Sequence, residues 1–198
     1  MRPIDFLLRA ARLHPGKTAV AGPEGSITYA DLVAQVEALA VEFQQRVPAE
    51  DGRIAICAGN HIAHVVALFA TLLAGRIWVP LNPRAGQPEL SRIVAFTEAA
   101  LVVTEDAHAA KVADAGAPVM VYRTTGGDDD LRAAVQRHRG TVPAPVHPDL
   151  ARTQAIKFTG GTTGLPKGVM QSLRSWNTCI VSIMRAMRLD EDVRYLAV

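Results

Sequence analysis

Residues 159–168, Thr-Gly-Gly-Thr-Thr-Gly-Leu-Pro-Lys-Gly, gather four glycines, three threonines and one lysine directly behind an apolar run. Phosphate oxygens concentrate negative charge and need many donors at short range. Successive backbone N–H groups supply those donors when no side chain blocks their approach. Gly160, Gly161, Gly164 and Gly168 clear that space, and the hydroxyls of Thr159, Thr162 and Thr163 add further hydrogen bonds. The Lys167 ammonium is a compact positive charge suited to phosphate. Pro166 fixes its own φ and biases Leu165 toward extended backbone, so Lys167 leaves the turn in a restricted direction. The composition therefore points to a cradle for a polyphosphate.

Spacing separates this loop from the two commonest phosphate loops. A Walker A loop needs a Gly-Lys-Ser/Thr ending, whereas Lys167 follows Pro166 and precedes Gly168; the dinucleotide Gly-x-Gly-x-x-Gly pattern fails as well. Phe158-Thr-Gly-Gly-Thr-Thr-Gly-Leu-Pro-Lys-Gly-Val169 instead resembles the phosphate-loop signature of the acyl-adenylate-forming enzymes, which include acyl-CoA synthetases, luciferases and peptide-synthetase adenylation domains. Residues 26–32, Ser-Ile-Thr-Tyr-Ala-Asp-Leu, resemble that family's early Thr-Tyr segment. Residues 75–84, Gly-Arg-Ile-Trp-Val-Pro-Leu-Asn-Pro-Arg, resemble its Pro-Leu-Asn-Pro segment. Two positions depart from the pattern. Gly160 stands where relatives usually carry Ser or Thr, and Leu173 where many carry His, so no role of that His is assigned here.

The resemblance implies an ATP-dependent acyl-CoA synthetase. A small carboxylic acid, a fatty acid or other acyl acid, attacks the α-phosphorus of ATP, and the thiol of coenzyme A then displaces AMP. Thr159, Gly160, Gly161, Thr162, Thr163, Gly164, Pro166 and Lys167 become the nucleotide-binding set, with Lys167 as the catalytic cation and Thr159 as a ligand for Mg²⁺. Two alternatives stay open: an adenylation domain that loads a carrier protein, and a non-catalytic nucleotide-binding module. The family's adenine pocket, hinge and adenylation lysine come from sequence after residue 198. The expectation is thus an incomplete N-terminal subdomain that does not adenylate alone.

Composition bounds these readings. With 198 residues and 49% apolar content, the chain can bury roughly 70% of its unfolded surface, enough for one core. Its 21 basic and 19 acidic residues nearly balance, and no basic run interleaves with aromatics, so no nucleic-acid surface is indicated. Cys57 and Cys179 lie in apolar runs far apart, read as buried inert thiols of a reducing cytoplasm. The opening residues are interrupted by Asp5 and Arg9, which argues against a secretory signal. Residues 54–75 carry no formal charge, but Gly59-Asn60-His61 divides them into pieces too short to span a bilayer.

The elements that must position the loop follow from periodicity. Residues 18–21 and 26–28 read as a hairpin. Thr28 then caps a helix whose Leu32, Val36, Leu39, Ala40 and Phe43 form one apolar stripe, with Asp31 completing the cap. From residue 53 the pattern alternates: strands at 54–57, 77–81, 101–104, 119–122, 155–158 and 194–198, with helices at 61–75, 87–96, 106–115 and 128–138. Such alternation predicts an α/β fold with a mainly parallel sheet and helices on both faces. Residues 140–149, with three prolines, read as a connecting loop. Residues 169–171 continue as a short strand, and Ser172 caps a helix to about residue 187, making the phosphate loop a strand-to-strand connection. Two regions result. Residues 1–50 form a hairpin and helix that would pack on a second sheet made by later sequence; residues 51–198 form the α/β unit with the loop. The stripe would then lack its partner, and self-association through it is expected. His61 and His64 have no third metal ligand nearby, Asp128–Asp130 reads as a helix N-terminal charge complement, and Trp78 and Trp176 read as packing residues.

Overall fold

A computed structural model describes residues 2–123, 130–147, 149–159, 167–190 and 192–194. The chain opens with helix α1 (Pro3–Leu13), hairpin β1 (Thr18–Gly22) and β2 (Gly25–Thr28), and helix α2 (Tyr29–Arg46). Then come β3 (Arg53–Cys57), α3 (Ile62–Leu73), β4 (Ile77–Leu81), α4 (Gln87–Phe96), β5 (Ala99–Glu105), α5 (Ala109–Val112), β6 (Val119–Tyr122) and α6 (Asp130–Arg137). The described chain closes with β7 (Thr153–Thr159), β8 (Lys167–Ser172) and α7 (Leu173–Ala186). Among the described residues the main sheet runs β6-β5-β3-β4-β7-β8, parallel throughout except for β8, which lies antiparallel to β7 at the edge.

Alternation along β3 shows why both faces are covered. Ile54 and Ile56 point into a cluster with Leu101, Val103 and Met120, roofed by α2, α3 and α6. Ala55 and Cys57 point the other way, into a cluster with Val79, Val102 and Ile156 beneath α4 and α5. A strand buried on both faces carries this continuous apolar character.

Helix α2 starts as its sequence demands: the Thr28 side chain accepts the Asp31 backbone N–H at 3.1 Å. Its stripe of Leu32, Val36, Leu39, Ala40 and Phe43 is buried in the same cluster as Ile54 and Val66. The expectation that this stripe lacks a partner is therefore corrected. Helix α3 supplies one within the chain.

Four further differences have local causes. Helix α1 was read only as an interrupted apolar run. Pro3 occupies its first turn and the Asp5 carboxylate accepts the Arg2 backbone N–H at 2.6 Å, while Ile4 and Leu7 are buried. The helix expected at 106–115 reduces to a 3-10 turn, Asp106–His108, followed by α5, with Gly116 at φ 88° beyond it. Cys179 is exposed on α7, not buried; only Cys57 fits the expected environment, where burial pushes its thiol up to about 11. Residues 192–194 form no strand, and the remainder of the strand expected there lies outside the described residues.

The proline-containing connection is held at defined points. Gln44 on α2 exchanges two 2.9 Å hydrogen bonds with the backbone of Ala144. Gly75, at φ 71°, has the Val146 methyls where a Cβ would stand, 2.6–2.7 Å away. No other residue fits that close approach without displacing the connection.

Candidate functional site

β7 and β8 carry the ends of the phosphate loop. Their register pairs Phe158 with Gly168 and Thr159 with Lys167, so Thr159 and Lys167 form the closing pair of the hairpin. Directly opposed residues of an antiparallel pair project on one face. Thr159 and Lys167 therefore stand opposite each other on one face of the hairpin, and both residues are exposed. Gly160, Gly161, Thr162, Thr163, Gly164 and Pro166 lie outside the described residues. The structure accordingly brings together two of the expected site residues, at the carboxyl end of a parallel strand, where ligands gather in sheets of this type.

The hairpin is braced from both sides. On one face Phe158 meets Phe96 edge-on, with ring centroids 6.1 Å apart. A Cβ on Gly168 would lie 3.1 Å from the Ile156 methyl and 3.3 Å from the Phe158 ring. A side chain at Gly168 would thus require Ile156 and Phe158 to shift by a few tenths of an ångström. On the other face stand Trp78 of β4 and Trp176 of α7, in an edge-to-face pair 5.9 Å apart. Ser172 caps α7 by accepting the Ser175 N–H at 3.2 Å, as its sequence predicts.

A second polar cluster occupies the same carboxyl edge of the sheet, on the other side of β4. Glu105 is buried at the end of β5, where it accepts the Gly59 N–H at 2.8 Å. The Nε2 atoms of His61 and His108 each stand 3.1 Å from its carboxylate. Glu24 from the β1–β2 turn accepts the Ile62 N–H at 2.6 Å, and that bond holds its carboxyl below the ordinary value. Burial pushes the Tyr122 hydroxyl far up and lowers the imidazole of His64, whose Nδ1 lies 2.9 Å from the Gly59 carbonyl. His61 and His64 thus turn to different partners, and no metal-holding group of three acids, histidines or cysteines occurs among the described residues. Sequence reasoning had not singled out Glu105. Its one signal was a carboxylate at the end of an otherwise apolar strand.

The parallel sheet covered on both faces, ending in a Gly/Thr-rich strand-to-strand connection, defines the N-terminal region of an adenylate-forming enzyme. The chain belongs to the AMP-binding enzyme family, which it matches over residues 7–198. It is 32% identical over 186 residues to a feruloyl-CoA synthase from Amycolatopsis sp., covering 93% of this chain and 36% of that protein. It is 31% identical over 162 residues to the phosphinothricin tripeptide synthetase PhsC of Streptomyces viridochromogenes, covering 81% of this chain and 14% of that one. The ATP-bound structure of MatB from Rhodopseudomonas palustris superposes with a TM-score of 0.76 at 26% identity, over 95% of this chain and 38% of MatB. The chain therefore spans well under half the length of these relatives. Among the described residues no helix is long and apolar enough to cross a membrane.

Proposed function

We propose that this chain carries the polyphosphate-binding part of an ATP-dependent acid–thiol ligase of the cytoplasm, an acyl-CoA synthetase. The observation that carries the reading is the ladder pair Thr159–Lys167, a threonine and a lysine opposite each other where the Gly/Thr-rich loop leaves and rejoins the sheet. The residues present fit a nucleotide's phosphates: the donors are exposed and the bracing side chains lie behind them.

In the proposed reaction a carboxylate oxygen of the acyl acid attacks the α-phosphorus of ATP. The bond to the β-phosphate oxygen breaks, and pyrophosphate leaves with its electron pair. Coenzyme A thiolate then attacks the acyl carbon, and AMP departs. Lys167 stabilises charge growing on the leaving pyrophosphate, together with backbone N–H groups of the loop; losing one such fixed donor costs about 2.7–4 kcal/mol of barrier stabilisation. Thr159 would hold Mg²⁺ through its hydroxyl, and the ion would supply neutralisation of phosphate charge. Similarity to a feruloyl-CoA synthase favours coenzyme A as acceptor. Similarity to a tripeptide synthetase supports the second reading, in which the acceptor thiol belongs to a carrier protein.

Titration of MgATP and of inorganic pyrophosphate into the chain tests the binding step. Binding is expected, and Lys167→Ala should weaken it by about tenfold, the loss of one hydrogen bond to a charged group. Equal affinities for the wild type and Lys167→Ala would remove Lys167 from the site. The 198 residues alone should show no acyl-dependent pyrophosphate exchange, because they span 36% of the feruloyl-CoA synthase and 38% of MatB.

A further inference from the structure

Lys157 precedes the loop by two residues, and the phosphate-binding reading gives it no task. Its ammonium lies 5.2 Å from the ring centroid of Trp78 and 5.0 Å from that of Trp176. Cations over indole faces are attracted by the ring quadrupole, more strongly when partly desolvated, as this half-buried lysine is. Trp176 is fixed in turn, since its Nε1–H donates to Gln171 Oε1 at 2.8 Å. One lysine thereby joins β4, β7 and α7, and Gln171 adds β8. Elsewhere α7 is held mainly at its start, where the Leu173 and Arg174 N–H groups donate to the Arg152 and Leu150 carbonyls at 3.0 Å. Leu173 is its buried residue, while Val181, Ile183 and Met184 are each more than two-fifths exposed.

We infer that Lys157 is a positioning residue, pinning α7 to the β7–β8 hairpin through the two indoles and so setting the relative placement of Thr159 and Lys167. The geometry connects them directly: Lys157 pairs with Val169 in the ladder that Thr159 and Lys167 close, two residues along both strands. A hairpin clamped at this rung presents its closing pair in one arrangement. An unclamped one lets α7 pull β8 out of register with β7. The link to phosphate rests on the proposed function; the clamp itself does not.

The test compares wild type, Lys157→Met, Lys157→Arg, Trp176→Leu and the Lys157→Met/Trp176→Leu double variant. It reads MgATP and pyrophosphate affinity by calorimetry, amide hydrogen exchange over residues 157–172, and tryptophan emission. Lys157→Met should raise both dissociation constants about threefold to tenfold, the range expected for a cation–π contact. It should also speed exchange at Thr159 and Lys167 and shift the emission. Lys157→Arg should restore all three. Trp176→Leu should reproduce the Lys157→Met loss, and the double variant should be no worse than either single one, since the two side chains act as a unit. If Lys157→Met weakens binding while Trp176→Leu does not, the lysine acts by its charge alone and the positioning role falls. Unchanged exchange at Thr159 and Lys167 overturns it too. If the wild type binds neither ligand, the proposed function fails, and faster hairpin exchange in Lys157→Met still upholds the clamp.

Discussion

The two flanks of β4 are built differently. On one side, β3 and β5 are sealed on both faces: Ile54, Ala55, Val102 and Val103 are each 0% exposed. On the other, β8 leaves Val169 45% and Met170 68% exposed, and α7 buries little beyond Leu173. The Gly/Thr-rich loop belongs to the thinly packed flank. On the proposed function this placement suits the loop's ends, because binding elements are drawn from the low-stability end of a structure.

The contrast can be broken by substitutions that cost much on one flank and little on the other. Phe43, fully buried between α2 and the sheet, is the severest case. Phe43→Ala should cost about 3–5 kcal/mol in denaturant unfolding, through lost transfer energy and the cavity left behind. A loss below 1 kcal/mol would mean that α2 is not part of the core. Next comes Glu42. Its carboxylate accepts from Arg46 Nε at 2.6 Å and Arg137 Nη1 at 2.8 Å, with His138 Nε2 also at 2.8 Å, joining α6 to α2. Burial raises its pKa, but these hydrogen bonds outweigh burial and hold it below the ordinary value of 4.5. A depressed carboxyl contributes stability above its unfolded value and loses it as pH falls through the folded one. Glu42→Gln should therefore cost about 1.5–3 kcal/mol at neutral pH, the scale of a hydrogen bond to a charged group. The difference from wild type should shrink on acidification below pH 4.5. A difference that stays constant down to strong acid would show that Glu42 is not ionised in the folded chain.

Gly75 probes the boundary between the two flanks, at the end of α3 and against Val146. An alanine there meets a left-handed backbone, costing about 1–2 kcal/mol, and its methyl displaces the proline-containing connection that leads into β7. Gly75→Ala should destabilise by that amount and speed proteolysis between residues 138 and 152. Unaltered proteolysis would show that the connection tolerates the displacement.

The same contrast explains what could be read from sequence. Much of the sealed flank was legible: the strands expected at 77–81 and 119–122 and the helix at 87–96 match β4, β6 and α4, while the helix expected at 106–115 shrinks to a 3-10 turn and α5. A strand buried on both faces writes a continuous apolar run, and glycines and prolines punctuate it. The caps at Thr28 and Ser172 were equally plain, because Ser and Thr hydroxyls act on a backbone N–H three residues away. Interactions spanning long sequence distances were not legible. Nothing local announces that Lys157 meets indoles from residues 78 and 176, that Glu105 gathers two histidines, or that the α2 stripe is met by α3. Helix α1 was missed because charges at Asp5 and Arg9, read as interruptions, sit beside the face that buries Ile4 and Leu7. At the candidate site, residue types pointed to phosphate, but the pairing of Thr159 with Lys167 needed the register of β7 and β8.

The smallest expected effect is the sharpest test of the thin flank. Met170 stands on edge strand β8, 68% exposed, and its ladder partner is Ile156. A solvent-facing substitution away from caps, cores and charge pairs changes stability by less than about 0.5 kcal/mol, and threonine suits a strand as well as methionine does. Met170→Thr should thus leave the denaturation midpoint of this chain nearly unmoved. A cost of 2 kcal/mol or more, on the scale of a truncated core side chain, would mean that β8 is covered in solution. Its open edge and the α7 face beside it would then form one continuous buried surface, and the difference between the flanks would vanish. A midpoint that depends on protein concentration in the wild type, but not in Met170→Thr, would identify the cover as a second copy of the chain. A concentration-independent cost would place the cover within the chain itself.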